Sequence, residues 1–307
     1  MKYILKPAQL RPEVVAQLRD VPAVERFDEG KLLRHPEDTF AQVFRDLLEN
    51  GIHLCRDHTQ ALSTPGDAPD TIEVDQRLRR SLRIFHTSIG DYIDGCRSVI
   101  YYVRPDDHKR VWREFRQATS PYFDFASKID NFAKHQQRAL RTVYAQSPHG
   151  PIVGYQVEGA IGVGAVGAER LIHRYPATAF SLNRALKYHA CHIYLMAAAL
   201  KTVLNLSAAS GEHLAAGQDS GAATFLEQVA AIPMLFFPDE QLEQVPLVRK
   251  RTDGSFLLEC PSLVKPDNHR PHVMNLNFRF SPTAHALQVE IPYMDADRPW
   301  ERSTVRR

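Results

Sequence analysis

Along most of the chain before Pro233, apolar residues recur three or four positions apart, the spacing of helices that bury one face. From Pro36 to Leu62 the residues Phe40, Val43, Phe44, Leu47, Leu48, Ile52 and Leu54 mark an amphipathic helix, with Asp38 as its N-cap and Gly51 as a point of bending. The cluster Ser63–Pro69 breaks it, being made of turn formers. A second stripe runs from Ile72 to Val103 through Leu78, Leu82, Phe85, Ile89, Tyr92, Ile93, Cys96, Val99 and Ile100. Pro105 closes that helix, and Asp106 or Asp107 caps a short one through Val111, Trp112 and Phe115. The spacing then predicts a long helix from Pro121 to Gln146, with Phe125, Ile129, Phe132 and Tyr144 on its apolar face. Ser147–Pro151 ends it, and Ile152–Gly167, rich in Gly, Val and Ile, reads as an irregular extended hairpin. After Pro176 another helix carries Leu182, Leu186, His189, Ile193, Met196, Leu200 and Val203, and a short helix, Ala222–Ala231, follows a small polar loop. Helices joined by short connections pack antiparallel as a bundle.

Beyond Pro233 the period changes to two. Leu247-Val248-Arg249 and Phe256-Leu257-Leu258 flank Thr252-Asp253-Gly254, a hairpin signal. Met274, Leu276, Phe278 and Phe280 alternate with polar residues, as do Leu287, Val289 and Ile291, giving a second antiparallel hairpin around Ser281–His285. The fold class is therefore α+β: mainly a helical bundle, followed by a small C-terminal antiparallel β-sheet. The expected divisions are an N-terminal extension (1–35), the bundle with its inserted Gly-rich hairpin (36–232), an antiparallel β region (233–298) and a tail (299–307).

Bulk composition narrows the function classes. A hydrophobic fraction of 44% and a charged fraction of 24% belong to an ordinary globular protein. The net charge of +2 supplies no global attraction to nucleic acid or anionic membrane. Arg77, Arg79, Arg80 and Arg83 spread around a helix, as on a solvated face. Cys55, Cys96, Cys191 and Cys260 form no C-x-x-C pair, which suits packed thiols in a reduced cytoplasmic protein. The opening Met1–Pro7 lacks the features of a signal peptide, and no membrane span is expected, since the most apolar helix, Ile193–Leu206, contains Lys201 and is short.

Two local patterns bear on chemistry. Gly162-Val163-Gly164-Ala165-Val166-Gly167 spells G-x-G-x-x-G, whose glycines let backbone N–H groups reach a pyrophosphate at a helix N-terminus. Gly154 and Gly159 interrupt the preceding strand, Lys187 stands where a ribose-binding acid belongs, and no βαβ units follow. A Gly-rich hairpin fits better, and no cofactor is expected. His189 and His192, with Glu169 and His173, have spacings that can present ligands to a metal. Because His189 lies on the apolar stripe, packing is the simpler reading, and a metal-dependent enzyme stays the alternative. Nucleophilic catalysis has little support: there is no Gly-x-Ser-x-Gly elbow, and Cys191 reads as packed. Asp91 and Asp94 could do acid–base work only where the fold buries them.

One pair remains. Asn131 and His135 are four residues apart, so a helix puts both on one face. A helical bundle with a late Asn131-Phe132-Ala133-Lys134-His135 resembles the HEPN superfamily, whose motif is Arg-Asn-x-x-x-His or a looser Arg-x4–6-His; the likeness covers roughly residues 36–206. It implies a nuclease in which arginine stabilises phosphate charge and histidine handles the proton, commonly across a dimer. Here the arginine's place is taken by Asp130, an anion that repels phosphate. The resemblance thus implies a non-catalytic or degenerate member acting through dimerisation or a protein partner, in a toxin–antitoxin or defence setting. Arg184 and His189, with Asn183 before the arginine, form a second match that keeps the cation. The alternative function is a hydrolase: a HEPN-type ribonuclease acting on RNA through Arg184 and His189, or a metal enzyme using His189 and His192.

Overall fold

A computed structural model describes residues 2–28, 31–64, 70–134, 139–162, 165–173, 178–206, 220–240, 245–260 and 288–289. The architecture is mixed α+β and mainly helical, with seven α-helices among the described residues. After β1 (Lys2–Leu5), α1 (Glu13–Arg19) and a short ladder of β2 (Phe27–Asp28) with β3 (Lys31–Leu32), two long helices form an antiparallel pair, α2 (Pro36–Ser63) and α3 (Thr71–Val103). The cap of α2 is His35, whose Nδ1 accepts from the Glu37 N–H at 3.3 Å; Asp38, expected as the cap, stands in the first turn, where an anion still opposes the helix dipole. α2 runs unbroken through Gly51. The glycine makes room: a Cβ there would lie 2.5 Å from the Phe225 ring.

α4 (His108–Thr119) starts at Asp107, as expected, which pairs with Arg104 at 2.7 Å and with Arg110. α5 (Tyr122–Lys134) is shorter than the expected helix. Residues Leu140–Ser147 are instead strand β4, and Tyr144 faces α3 from the sheet. The physical reason is pairing at a distance. Every residue of β4 has a partner in β5 (Gly150–Gly162), and the Thr142 and Tyr144 hydroxyls donate to Asp75 of α3 at 2.5 and 2.8 Å. Arg79 closes that network by an ion pair with Asp75 at 2.7 Å, and buried polar groups tied into such a network hold the sheet to α3.

β5 also pairs antiparallel with β6 (Ala165–Ala168) and with β7 (Phe180–Ser181). Gly162 and Gly167 of the G-x-G-x-x-G run fall in this ladder, Gly162 opposite Ala165 and Gly167 opposite Gly159, while Gly164 lies outside the described residues. α6 (Leu182–Leu204) then crosses the middle of the molecule with Leu186, Ala190, Ile193, Met196 and Leu200 buried, and Asn205 ends it in the left-handed region at φ 51°. α7 (Ser220–Ala231) packs Phe225 on α2. The Thr252–Gly254 turn joins β8 (Leu247–Lys250) and β9 (Phe256–Glu259) as the sequence suggests, and β1 completes the sheet in the order β1-β9-β8. Leu5, Leu10, Val14, Val15 and Leu18 share one apolar core with the bundle. Of the second expected hairpin only residues 288–289 are described, as β10 (Gln288–Val289), parallel to β6; the rest of it and residues 299–307 lie outside the described residues. No described helix is long and apolar enough to cross a membrane.

Candidate functional site

The corner with Asn131 lies at the C-terminal end of α5. Asn131 is exposed there, and His135 lies outside the described residues. Asp130 turns toward α3, where a Cβ on Gly90 would lie 2.4 Å from its Oδ2. Lys134 Nζ is 3.2 Å from Asp130 Oδ2 and donates to Asp91 Oδ1 at 3.1 Å, so one ammonium serves two carboxylates. Burial raises the pKa of Asp130, with Lys134 opposing, and burial also raises that of Asp94 nearby. From α3, Arg83 donates to the Ala133 carbonyl at 3.4 Å, a cation at the negative end of the helix. Lys134, the cation nearest Asp130, is thus held by two carboxylates.

The second match, Arg184 and His189, is taken apart by its own helix. A separation of five residues turns the two side chains about 140° apart. Arg184 Nη1 lies 3.7 Å from Glu240 Oε1, and the Glu240 carboxylate also accepts from the Ser181 and Phe237 N–H groups at 3.0 and 3.1 Å. Burial nonetheless pushes the Glu240 carboxyl up to about 7. His189, only 1% exposed, holds the Tyr122 hydroxyl at 2.9 Å through Nδ1. Burial drives its pKa well below the usual imidazole value, and His86 and His192 add to the effect. The His86 ring is 5.3 Å from that of His189 and 5.2 Å from that of Tyr155. His189, His86 and Tyr155 are buried, so a polymeric substrate does not reach the imidazole, whereas Arg184 keeps 15% of its side chain exposed. A proton carrier for RNA cleavage has to touch the 2′-hydroxyl.

The residues considered as metal ligands serve the fold. His173 Nε2 accepts from the Val157 N–H at 2.8 Å, and the His192 ring stacks on Tyr122 at 4.4 Å. Glu169 takes its place beside Gly159, where a Cβ would meet its Oε2 at 2.5 Å. Among the described residues no group of three or more His, Cys, Asp or Glu side chains is placed to hold a metal ion.

Sequence reasoning missed a third cluster. Cys191 of α6 lies against the β8–β9 hairpin, its Sγ 3.8 Å from the Leu247 carbonyl and 3.8 Å from the Glu259 carbonyl, one residue before Cys260. The influence of Cys191 lowers the Cys260 thiol below its usual range against burial. That of Cys260, with burial, pushes Cys191 up. The two positions are far apart in the chain, and only the packing of α6 on the β8–β9 hairpin unites them. Comparison with protein-family models, curated proteins and solved structures finds no match to this chain.

Proposed function

We propose that this protein is a degenerate, HEPN-like helical protein that works in the cytoplasm by binding, through dimerisation or a protein partner, and does not cleave RNA. The observation that carries this reading is the fate of the Arg–His match: His189 is buried on Tyr122 and Arg184 faces Glu240. The Asp130 corner supports it, because Lys134 is committed to carboxylates. Cysteines left as free, buried thiols fit a reducing compartment. A toxin–antitoxin or defence setting follows from the resemblance alone.

A surface for such binding is the β2–β3 ladder. Phe27 and Leu32 sit directly opposite each other and are 54% and 60% exposed, with Val24 close by in the chain at 46%. A paired apolar patch on a short projecting ladder is costly to leave in water and suits contact with a second copy. Sedimentation velocity of the wild type against a Phe27→Asp/Leu32→Asp variant tests it. We expect a dimer that the variant weakens by tenfold or more in Kd. A wild type that stays monomeric and captures no protein, but cuts RNA, overturns the reading.

A further inference from the structure

Both arms of the β2–β3 ladder are tied to the helices beneath it. In the entering arm the hydroxyl of Tyr102, near the end of α3, accepts from the Val24 N–H at 2.9 Å and donates to the Val24 carbonyl at 2.7 Å, with the Pro22 carbonyl at 3.4 Å. In the leaving arm His35 Nδ1 accepts from the Glu37 N–H, so its proton sits on Nε2, which donates to the Val21 carbonyl at 2.9 Å. The two rings meet edge-on with centroids 6.0 Å apart. The Leu33 N–H donates to the Arg26 carbonyl at 2.8 Å and lengthens the ladder at its base. We propose that Tyr102 and His35 hold this ladder as a preformed, self-complementary surface for a second copy of the chain. The inference rests on the dimer reading above and adds what fixes the surface and why it selects its own copy.

Three observations carry it. Tyr102, only 4% exposed, uses its hydroxyl on both backbone groups of Val24 and so fixes the path of the chain into Phe27. A surface shaped before contact loses less conformational entropy on binding. Next, Phe27 pairs with Leu32 and the Leu33–Arg26 bond continues that register, so the alternation of extended chain puts Glu25 and Arg34 on the side that carries Phe27 and Leu32. Finally, Glu25 and Arg34 are exposed, opposite in charge, and without an ion-pair partner among the described residues. A two-fold axis running along the ladder between its strands lays Phe27 of one copy on Leu32 of the other, and Glu25 on Arg34. Apolar then meets apolar and acid meets base, twice over.

Tyr102 is a positioning residue in this scheme, because its buried ring lies behind the surface it serves. Replacing it by Phe keeps the ring in place and removes only the bonds to the Val24 and Pro22 backbone. Val24 is 46% exposed, so water takes over its backbone groups and the fold survives. What changes is how often the arm holds its binding shape. An arm that is competent about a fifth of the time raises the apparent Kd about fivefold.

Sedimentation velocity of the full chain, together with amide hydrogen exchange read by mass spectrometry, tests this. Tyr102→Phe should speed exchange across residues 23–27, leave α2 and α3 protected, and weaken the dimer about fivefold. Glu25→Arg and Arg34→Glu should each weaken the homodimer about threefold or more, and an equimolar mixture of the two variants should recover the wild-type affinity. A wild type that stays monomeric overturns the dimer reading, and this inference falls with it. A wild-type dimer that Phe27→Asp/Leu32→Asp weakens, but that Tyr102→Phe leaves unchanged or the mixed charge variants fail to restore, overturns this inference alone.

Discussion

Imidazoles buried as neutral rings set how the folded state responds to acid. Burial drives His58, His86 and His173 down to about 3, and His189 falls well below the normal value too. In the unfolded chain each takes up a proton near pH ~6.5, while in the folded chain it stays neutral until far lower pH. Between those limits the unfolded state binds more protons, so stability falls as pH drops below about 6.5. Glu240 acts in the opposite sense: its folded pKa of about 7 contributes stability that is present at low pH and is lost as pH rises through 7. One carboxyl does not offset four imidazoles. Urea unfolding at pH 5 and pH 7.5 should show at least ~2 kcal/mol less stability at the lower pH, at about 1–2 kcal/mol per ring. Equal stability at both would show that the rings are solvated.

At the scale of elements, α7 is held to α6 by one unusual group. Lys187 is 1% exposed and its ammonium donates to the Val229 and Ile232 carbonyls, at 3.0 and 2.7 Å, at the C-terminal end of α7. Lys187→Met leaves those carbonyls buried without a donor and should cost about 1–3 kcal/mol by chemical denaturation. α7 meets α2 through Phe225 over Gly51, so Gly51→Ala forces ring or helix to move and should cost about 1–3 kcal/mol. A neutral effect there would mean that the α2–α7 contact is looser than the geometry requires. The helices α2, α3 and α4 were legible because their burial repeats every three or four residues. The boundary at Lys134 was not: Leu140 and Tyr144 also stand four apart, and only the ladder with β5 and the hydroxyl bonds to Asp75 decide for a strand. Local spacing at Gly51 says nothing of the Phe225 ring that approaches it. Arg184 and His189 were visible as a pair, yet their separation by burial depends on Glu240 and Tyr122, distant in sequence. The seating of Cys191 against the Leu247 and Glu259 carbonyls left no local signal at all.

For the molecule as a whole, one core joins the N-terminal segment, the bundle and the β8–β9 hairpin. A helix that carries Arg184, Lys187, His189 and Cys191 uses each of them internally, and this leaves the outer surface, including Phe27 and Leu32, to make contacts. The central proposal is that the Arg184–His189 match does not cut RNA, because His189 is buried on Tyr122 and Arg184 faces Glu240. Its most direct test is labelled single-stranded RNA incubated with the full chain at high concentration, with and without EDTA. The account predicts RNA that stays intact under both conditions. Cleavage that a correctly folded Arg184→Ala or His189→Ala variant abolishes would contradict it.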